Sequence, residues 1–189
     1  MSFLQQYRDD LVEVISSIDL NQVNAATEVL AQAREAGHRV FICGNGGSAS
    51  TASHFATDIV KGASFGRDKR FRIMALTDSL PTITAYSNDV SYECIFVEQL
   101  KNFAEPGDVI IGISSSGNSP NVIRAVEYGN SIGCRTIALT GRGGGRLGPL
   151  AQLEIQIASP HTGRIEDVHL IVLHMIGYWF MEGERLPAS

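Results

Sequence analysis

The stretch Phe41-Ile-Cys-Gly-Asn-Gly-Gly-Ser48, continuing as Ala-Ser-Thr-Ala-Ser-His54-Phe-Ala-Thr-Asp58, decides the fold. Val40 to Cys43 is a short apolar run of β type, glycines at 44, 46 and 47 interrupt it, and a helical stretch follows. Ser48 is placed to cap that helix. A strand that feeds a helix through glycines makes a cradle of backbone N–H groups where the helix dipole favours an anion. His54 and Asp58 are four residues apart, so they share one helix face about a turn beyond the cradle. An anion site and two proton-transferring or metal-ligating groups would then share a mouth. The plainer reading is tight strand-to-helix packing for the glycines and a surface pair for His54 and Asp58.

Outward from this stretch, helices and strands alternate. Phe3, Leu4, Tyr7, Leu11, Val14, Ile15 and Ile18 recur at helical spacing, and a second helix runs from about Asn21 to Ala36, where Gly37 stops it. The first strand is Arg39 to Cys43, and the helix after the cradle reaches about Lys61. Phe71 to Leu76 reads as a second strand, apolar except at Arg72 and so expected to be buried on both faces. A short helix from Leu80 to Tyr86 ends at Ser87-Asn88-Asp89, and another runs from Tyr92 to Phe103. Strands follow over Asp108 to Ile113, Arg135 to Leu139 and Leu153 to Ile157, with a helix from Ser119 to Ile132. The order predicts a doubly wound α/β domain: a five-stranded parallel sheet flanked by helices, with an extra N-terminal helix, in a single domain over 1–189. Ligands belong at the carboxyl ends of strands one and three.

The third strand runs into Ile113-Ser-Ser-Ser-Gly-Asn-Ser-Pro120. Ser119 fits an N-cap and Pro120 the first helical position, so this loop also feeds a helix N-terminus. Ser114, Ser115, Ser116 and Ser119 add hydroxyls to the N–H groups around Gly117, a phosphate pocket that uses neither lysine nor Mg²⁺. The plainer reading is a flexible serine-rich loop. No GxxxxGK[ST] occurs, which removes the P-loop enzymes. Gly44-x-Gly46-x-x-Ala49 loosely fits a dinucleotide fingerprint, but no acidic residue ends a second strand at the required distance.

The last segment, Gly163 to Met181, is a helix apolar nearly all round, and such a helix is buried on nearly all sides. One domain of 189 residues would struggle to wrap it, so self-association is expected. Its acidic residues and histidines are Glu166, Asp167, His169 and His174. Glu166 and His174 are eight residues apart, about 12 Å along a helix axis, so one metal takes both only at a frayed helix start or between subunits. His174 lies inside an apolar run and needs a partner; His169 reads as a core histidine.

Bulk properties set limits. A net charge of −5 argues against general nucleic-acid binding and means that local dipoles and hydroxyls, not the global field, would hold an anionic substrate. Cys43, Cys94 and Cys134 have no paired spacing and read as buried thiols in a reducing compartment. The chain opens on an amphipathic stretch with charges and has no apolar run of transmembrane length, so a cytoplasmic protein that does not engage membrane is expected.

These motifs together resemble the sugar isomerase (SIS) domain family. The resemblance rests on Cys-Gly-Asn-Gly-Gly-Ser at 43–48, His-Phe-Ala at 54–56, Asn-Asp at 88–89, Gly-Ile-Ser-Ser-Ser-Gly-Asn-Ser at 112–119 and Arg-Ile-Glu-Asp-Val-His at 164–169. Within the family it is closest to members acting on seven-carbon sugar phosphates. It implies a homotetramer with shared active sites, the N-terminal helices (1–36) serving oligomer packing. The implied reaction is conversion of sedoheptulose 7-phosphate to D-glycero-D-manno-heptose 7-phosphate through an ene-diol, a step toward nucleotide-activated heptoses. Carried over by position, Asn45, Gly46, Gly47 and Ser48 meet substrate, Asn88 and Asp89 flank it, and Ser114, Ser115, Ser116 and Ser119 hold phosphate. His54, Asp58, Glu166 and His174 fall where the family binds zinc, one ion per subunit, with Asp58 as base and His174 as acid. Asp58 and Glu166 stand where the family usually has Glu and Gln, which makes a variant metal site in a working isomerase. The rival reading is a non-catalytic SIS member that binds a phosphosugar or a protein such as a replication initiator.

Overall fold

The structure, a computed structural model, describes residues 2–185. The chain starts with two helices, α1 (Phe3–Ser16) and α2 (Leu20–Ala36). A capping box closes α1, in which the Ser2 hydroxyl accepts from the Gln5 N–H while the Gln5 side chain accepts from the Ser2 N–H. Asp19 caps α2: its carboxylate accepts from the Asn21 N–H at 2.9 Å. Gly37 ends that helix in the left-handed region with φ of 76°. Asp19→Ala is expected to cost about 1 kcal/mol in urea unfolding with no change in ligand binding.

Beyond α2 come β1 (Arg39–Gly44), α3 (Gly47–Thr57), β2 (Arg72–Ala75), α4 (Leu80–Asp89), α5 (Val97–Phe103), β3 (Val109–Ser114), α6 (Pro120–Ile132), β4 (Arg135–Gly141), β5 (Leu153–Ile157) and α7 (Thr162–Met181). All pairings are parallel, in the order β2-β1-β3-β4-β5. This is the doubly wound arrangement expected, and its topological switch point lies between β1 and β3. Side chains of β1 alternate between two cores. Val40 and Ile42 enter one, shared with α2, α3 and α7; Phe41 and Cys43 enter the other, shared with α5 and α6. All three cysteines are buried and unpaired, and burial pushes the Cys43 thiol up to about 12.

Several expectations about local structure are corrected. Strand β2 is shorter than Phe71 to Leu76 and is not buried on both faces: as the outer strand it pairs only with β1 and leaves Met74 43% exposed. Gly46, not Ser48, is the N-cap of α3, with φ of 55°, and Ser48 is buried in the first turn. Helix α4 continues through Asn88 and Asp89 instead of ending before them. The helix expected from Tyr92 to Phe103 is split by Ile95 and Phe96, whose side chains are drawn into the second core, leaving a 3₁₀ turn over Tyr92–Cys94 before α5.

Helix α7 is buried along Ile165, Val168, Val172, Ile176 and Phe180 but exposes Met175, Tyr178 and Trp179, so within one chain it is covered on one side only. Its N-terminal end is tied to α1. Tyr7 donates to Asp167 at 2.7 Å, Arg164 pairs with Asp10 at 2.6 Å, and the Arg164 guanidinium stacks over the Tyr7 ring. This clamp fixes the start of α7 against the sheet, where the candidate site lies.

Candidate active site

The carboxyl ends of β1 and β3 are joined by an amide pair that has no local signature in the chain. Asn45 and Asn121 each donate to the other's carbonyl oxygen at 2.9 Å, and the Tyr92 hydroxyl donates to Asn45 at 2.8 Å. Asn121 is 1% exposed, so this contact holds the cradle loop and the serine loop at a fixed separation.

A cavity of about 190 Å³ opens beside that pair. It is lined by Asn45 and Ser48 from the cradle, by Ser114, Ser115, Ser116 and Ser119 from the serine loop, and by Arg142, Thr162 and Glu166. All four serines predicted to hold phosphate therefore converge. Ser119 takes the N-cap position of α6 as expected, but its hydroxyl does not cap the helix; it lies 3.0 Å from the Ser114 hydroxyl. The loop turns at Gly117, with φ of 64°, and any side chain there would strike the Gly144 carbonyl oxygen. The loop after β4 thus supports the serine loop backbone to backbone, and the Leu147 N–H donates to the Gly117 carbonyl at 2.8 Å.

At the glycine cradle, the N–H groups of Gly46 and Gly47 have no protein acceptor among the described residues. Glu166 faces them: its Oε2 stands 2.6 Å from where a Gly47 side chain would begin. Glycine at 47 is what lets α7 bring a carboxyl group to the α3 N-terminus, where the dipole favours it. The first cradle thus has a carboxyl group of the chain beside it, while the hydroxyls gather at the serine loop.

His54, Asp58 and His174 form a second cluster. His54 Nε2 lies 3.4 Å from Asp58 Oδ2, His174 Nε2 lies 3.6 Å from the same oxygen, and the two imidazole nitrogens are 3.2 Å apart. Tetrahedral coordination with bonds of about 2.0–2.1 Å places ligand atoms about 3.3–3.4 Å apart, so the three atoms fit three corners of a zinc-type site with the fourth open. The helix supports this geometry in an unusual way: at Asp58 α3 widens into a π turn over Asp58–Gly62, with the Ala63 N–H donating to the Asp58 carbonyl at 3.1 Å. Such insertions collect at functional sites.

Two expectations about this cluster change. His174 is not enclosed by apolar neighbours; its side chain is 38% exposed, and His54 and Asp58 are its partners. Glu166 lies outside the three-residue group, in the serine cavity, because α7 stays regular and keeps it two turns from His174. Asn88 and Asp89 do not line that cavity: Asp89 faces a separate depression with Tyr86 and Val90. His169 is a core residue, 1% exposed, its Nε2 donating to the Thr140 carbonyl at 3.0 Å.

The two clusters are spaced along paired helices. From Ser48 to His54 on α3 is about 9 Å of axis, and from Glu166 to His174 on α7 about 12 Å. An extended seven-carbon sugar phosphate measures roughly 10 Å from phosphorus to C1 on ordinary bond lengths in staggered conformation.

Comparison with known proteins agrees with the geometry. Residues 3–141 match the SIS domain profile, and the chain belongs to the SIS domain family. A probable phosphoheptose isomerase of Thermoplasma volcanium is 39% identical over 161 residues, covering 85% of this chain and 81% of that one. The phosphoheptose isomerase of Aliarcobacter butzleri is 36% identical over 174 residues, covering 90% and 89%. The structure of the phosphoheptose isomerase from Neisseria gonorrhoeae superposes with a TM-score of 0.87 at 29% identity, covering 94% of this chain and 96% of that chain.

Proposed function

We propose that the chain is an aldose–ketose isomerase that converts sedoheptulose 7-phosphate to D-glycero-D-manno-heptose 7-phosphate. The observation that carries this reading is the spacing of a hydroxyl-lined anion pocket and a His54–Asp58–His174 cluster, which matches the length of a heptose 7-phosphate. The kinship with phosphoheptose isomerases supports the same substrate.

The phosphate binds among Ser114, Ser115, Ser116 and Ser119, which present neutral donors and keep the dianion anchored while the carbon chain extends along α3 and α7. Asn45, with the cradle at Gly46 and Gly47, orients the sugar hydroxyls. Asn88 and Asp89 approach substrate only if a neighbouring subunit or a movement of α4 brings them in. Moving the carbonyl between C1 and C2 requires a base for the carbon-bound proton and an acid for the oxygens. The Asp58 carboxylate takes the proton from C1 of the ketose and delivers a proton to C2. His174, partly open to solvent, exchanges the oxygen proton.

His54, Asp58 and His174 would hold a divalent cation such as zinc, with Glu166 reaching it through substrate or from an adjoining subunit. When bound, that ion supplies Lewis acidity to the sugar oxygens of the ene-diol. The exposed Met175, Tyr178 and Trp179 on α7 and Phe3, Leu4 and Val12 on α1 support a homotetramer, with residues 1–36 packing between subunits. No described helix is long and apolar enough to cross a membrane, which fits a cytoplasmic step toward nucleotide-activated heptoses.

The test is an NMR assay of sedoheptulose 7-phosphate with purified protein, chelated and then given Zn²⁺. The expected outcome is loss of conversion on chelation and its return with the metal. Tight binding of the sugar phosphate without conversion under either condition would favour a non-catalytic phosphosugar- or protein-binding role.

A further inference from the structure

Arg142 is the one cation that lines the serine cavity, and nothing in the reading of the active site so far uses it. It follows Gly141, the last residue of β4, and so sits at the sheet edge beside the carboxyl end of β3, where Ser114 is paired with Thr140. Its backbone has φ of 49°, which makes it the only non-glycine with positive φ among the described residues. Gly143, Gly144 and Gly145 next to it take the same region without a Cβ penalty. A side chain kept at a strained position beside a ligand cavity points to use of that side chain.

The guanidinium is held lightly. Its one hydrogen bond goes to the Thr162 hydroxyl at the start of α7, and no carboxylate lies within ion-pair distance of it among the described residues. Four of its five N–H donors are therefore left for a ligand. The charge in the cavity makes the same demand. The cavity also holds the Glu166 carboxyl, and a phosphate brought beside it would meet no positive side chain other than Arg142.

We infer that Arg142 is a substrate-binding residue that pairs with the phosphate group of the sugar phosphate, so that the pocket is not built from hydroxyls and dipoles alone. Planar guanidinium donors suit two phosphate oxygens at once, while the serines fix the remaining ones. The Thr162 contact parks the guanidinium at the rim until the anion arrives. This inference deepens the isomerase reading and rests on it for the identity of the sugar, but not for the phosphate contact itself.

The test uses inorganic phosphate as probe on the full-length chain, measured by calorimetry, so that it does not depend on turnover. Arg142→Gln is expected to weaken phosphate binding by about tenfold, as befits loss of a charge-assisted contact, and to flatten its dependence on salt. Arg142→Lys should recover part of the affinity. Arg142→Gly relieves the backbone strain, so it should melt no lower than the parent while binding phosphate as weakly as Arg142→Gln. With sedoheptulose 7-phosphate as substrate, KM should rise by a similar factor and kcat should change little. Phosphate affinity within twofold of the parent in Arg142→Gln would overturn the inference. So would a lower melting temperature of Arg142→Gly with parent-like affinity, which would make Arg142 an anchor of the loop after β4.

Discussion

Asp58→Asn and His174→Ala are each expected to lower turnover of sedoheptulose 7-phosphate by at least about a thousandfold, while the protein still folds and still binds inorganic phosphate. The effect is large because one carboxylate does two jobs. Asp58 Oδ2 completes the triangle with two imidazole nitrogens at 3.4 and 3.6 Å, and the same carboxylate is the proposed base. Asparagine keeps the shape but loses both the charge and the proton acceptor. His174→Ala removes one corner of the triangle and the proposed acid together. Neither change should unfold the chain, because both side chains are partly exposed, 24% and 38%, and neither belongs to a core cluster. Phosphate binding survives because the serine pocket lies about two turns away along α3. Rates in both variants within tenfold of the parent would remove the assigned acid and base.

The second large effect is on stability in acid and comes from His169. Burial holds its pKa down at about 4, against the backbone hydrogen bond to Thr140, which acts the other way. In the unfolded chain the same imidazole titrates near its ordinary value of about 6.5. Between these two values the unfolded state carries a proton that the native state does not, so stability rises with pH there and is lost on acidification. The slope approaches about 1.4 kcal/mol per pH unit inside that window and is smaller at its ends, amounting to about 2 kcal/mol between pH 6.5 and pH 4.5. His169→Gln keeps a donor for the Thr140 carbonyl but has no proton to gain. Urea unfolding of the metal-free proteins at pH 7.5 and pH 4.5 should show the parent losing about 2–3 kcal/mol more than the variant. Equal losses would mean that His169 takes up a proton in the folded state at ordinary acid pH.

How far the sequence could be read differs by element, for physical reasons. Strands β1 and β3 were legible because both faces are covered, which leaves an unbroken apolar run such as Val109-Ile-Ile. Strand β2 carries a shorter run, Ile73 to Ala75, set off from Phe71 by Arg72, yet is an outer strand. Whether a strand is central or outermost depends on the order of pairing, which its own residues do not record. The serine pocket was legible because Ser119-Pro120 is a local helix-start signal and the hydroxyls precede it in a single run. His54 and Asp58 could be placed on one face by spacing, and His174 could be recognised as needing a partner. That the partner would be the same pair, 120 residues earlier, is a tertiary fact.

Other parts left no local trace. Arg142 sits in a run of glycines that reads as a loop, and only its backbone angle and the cavity it faces set it apart. Asn121 and Tyr92 are isolated polar residues whose meaning is their contact with Asn45. The π turn after Thr57 depends on how α3 meets its neighbours, since nothing in Asp58-Ile-Val-Lys-Gly departs from ordinary helical composition. Glu166 stands beside Gly47 at the cradle rather than with the two histidines of its own chain.

Central to the proposed isomerase is abstraction of a carbon-bound proton by the His54–Asp58–His174 cluster from a sugar anchored by its phosphate at the serine loop. The direct measurement is proton NMR of sedoheptulose 7-phosphate incubated in D₂O with the zinc-supplied parent and with Asp58→Asn. The account predicts that the parent forms the aldose with solvent deuterium at C2, and that Asp58→Asn shows neither conversion nor exchange. A parent protein that binds the sugar phosphate but yields no product and no exchange, or an Asp58→Asn variant that exchanges as fast as the parent, would contradict it.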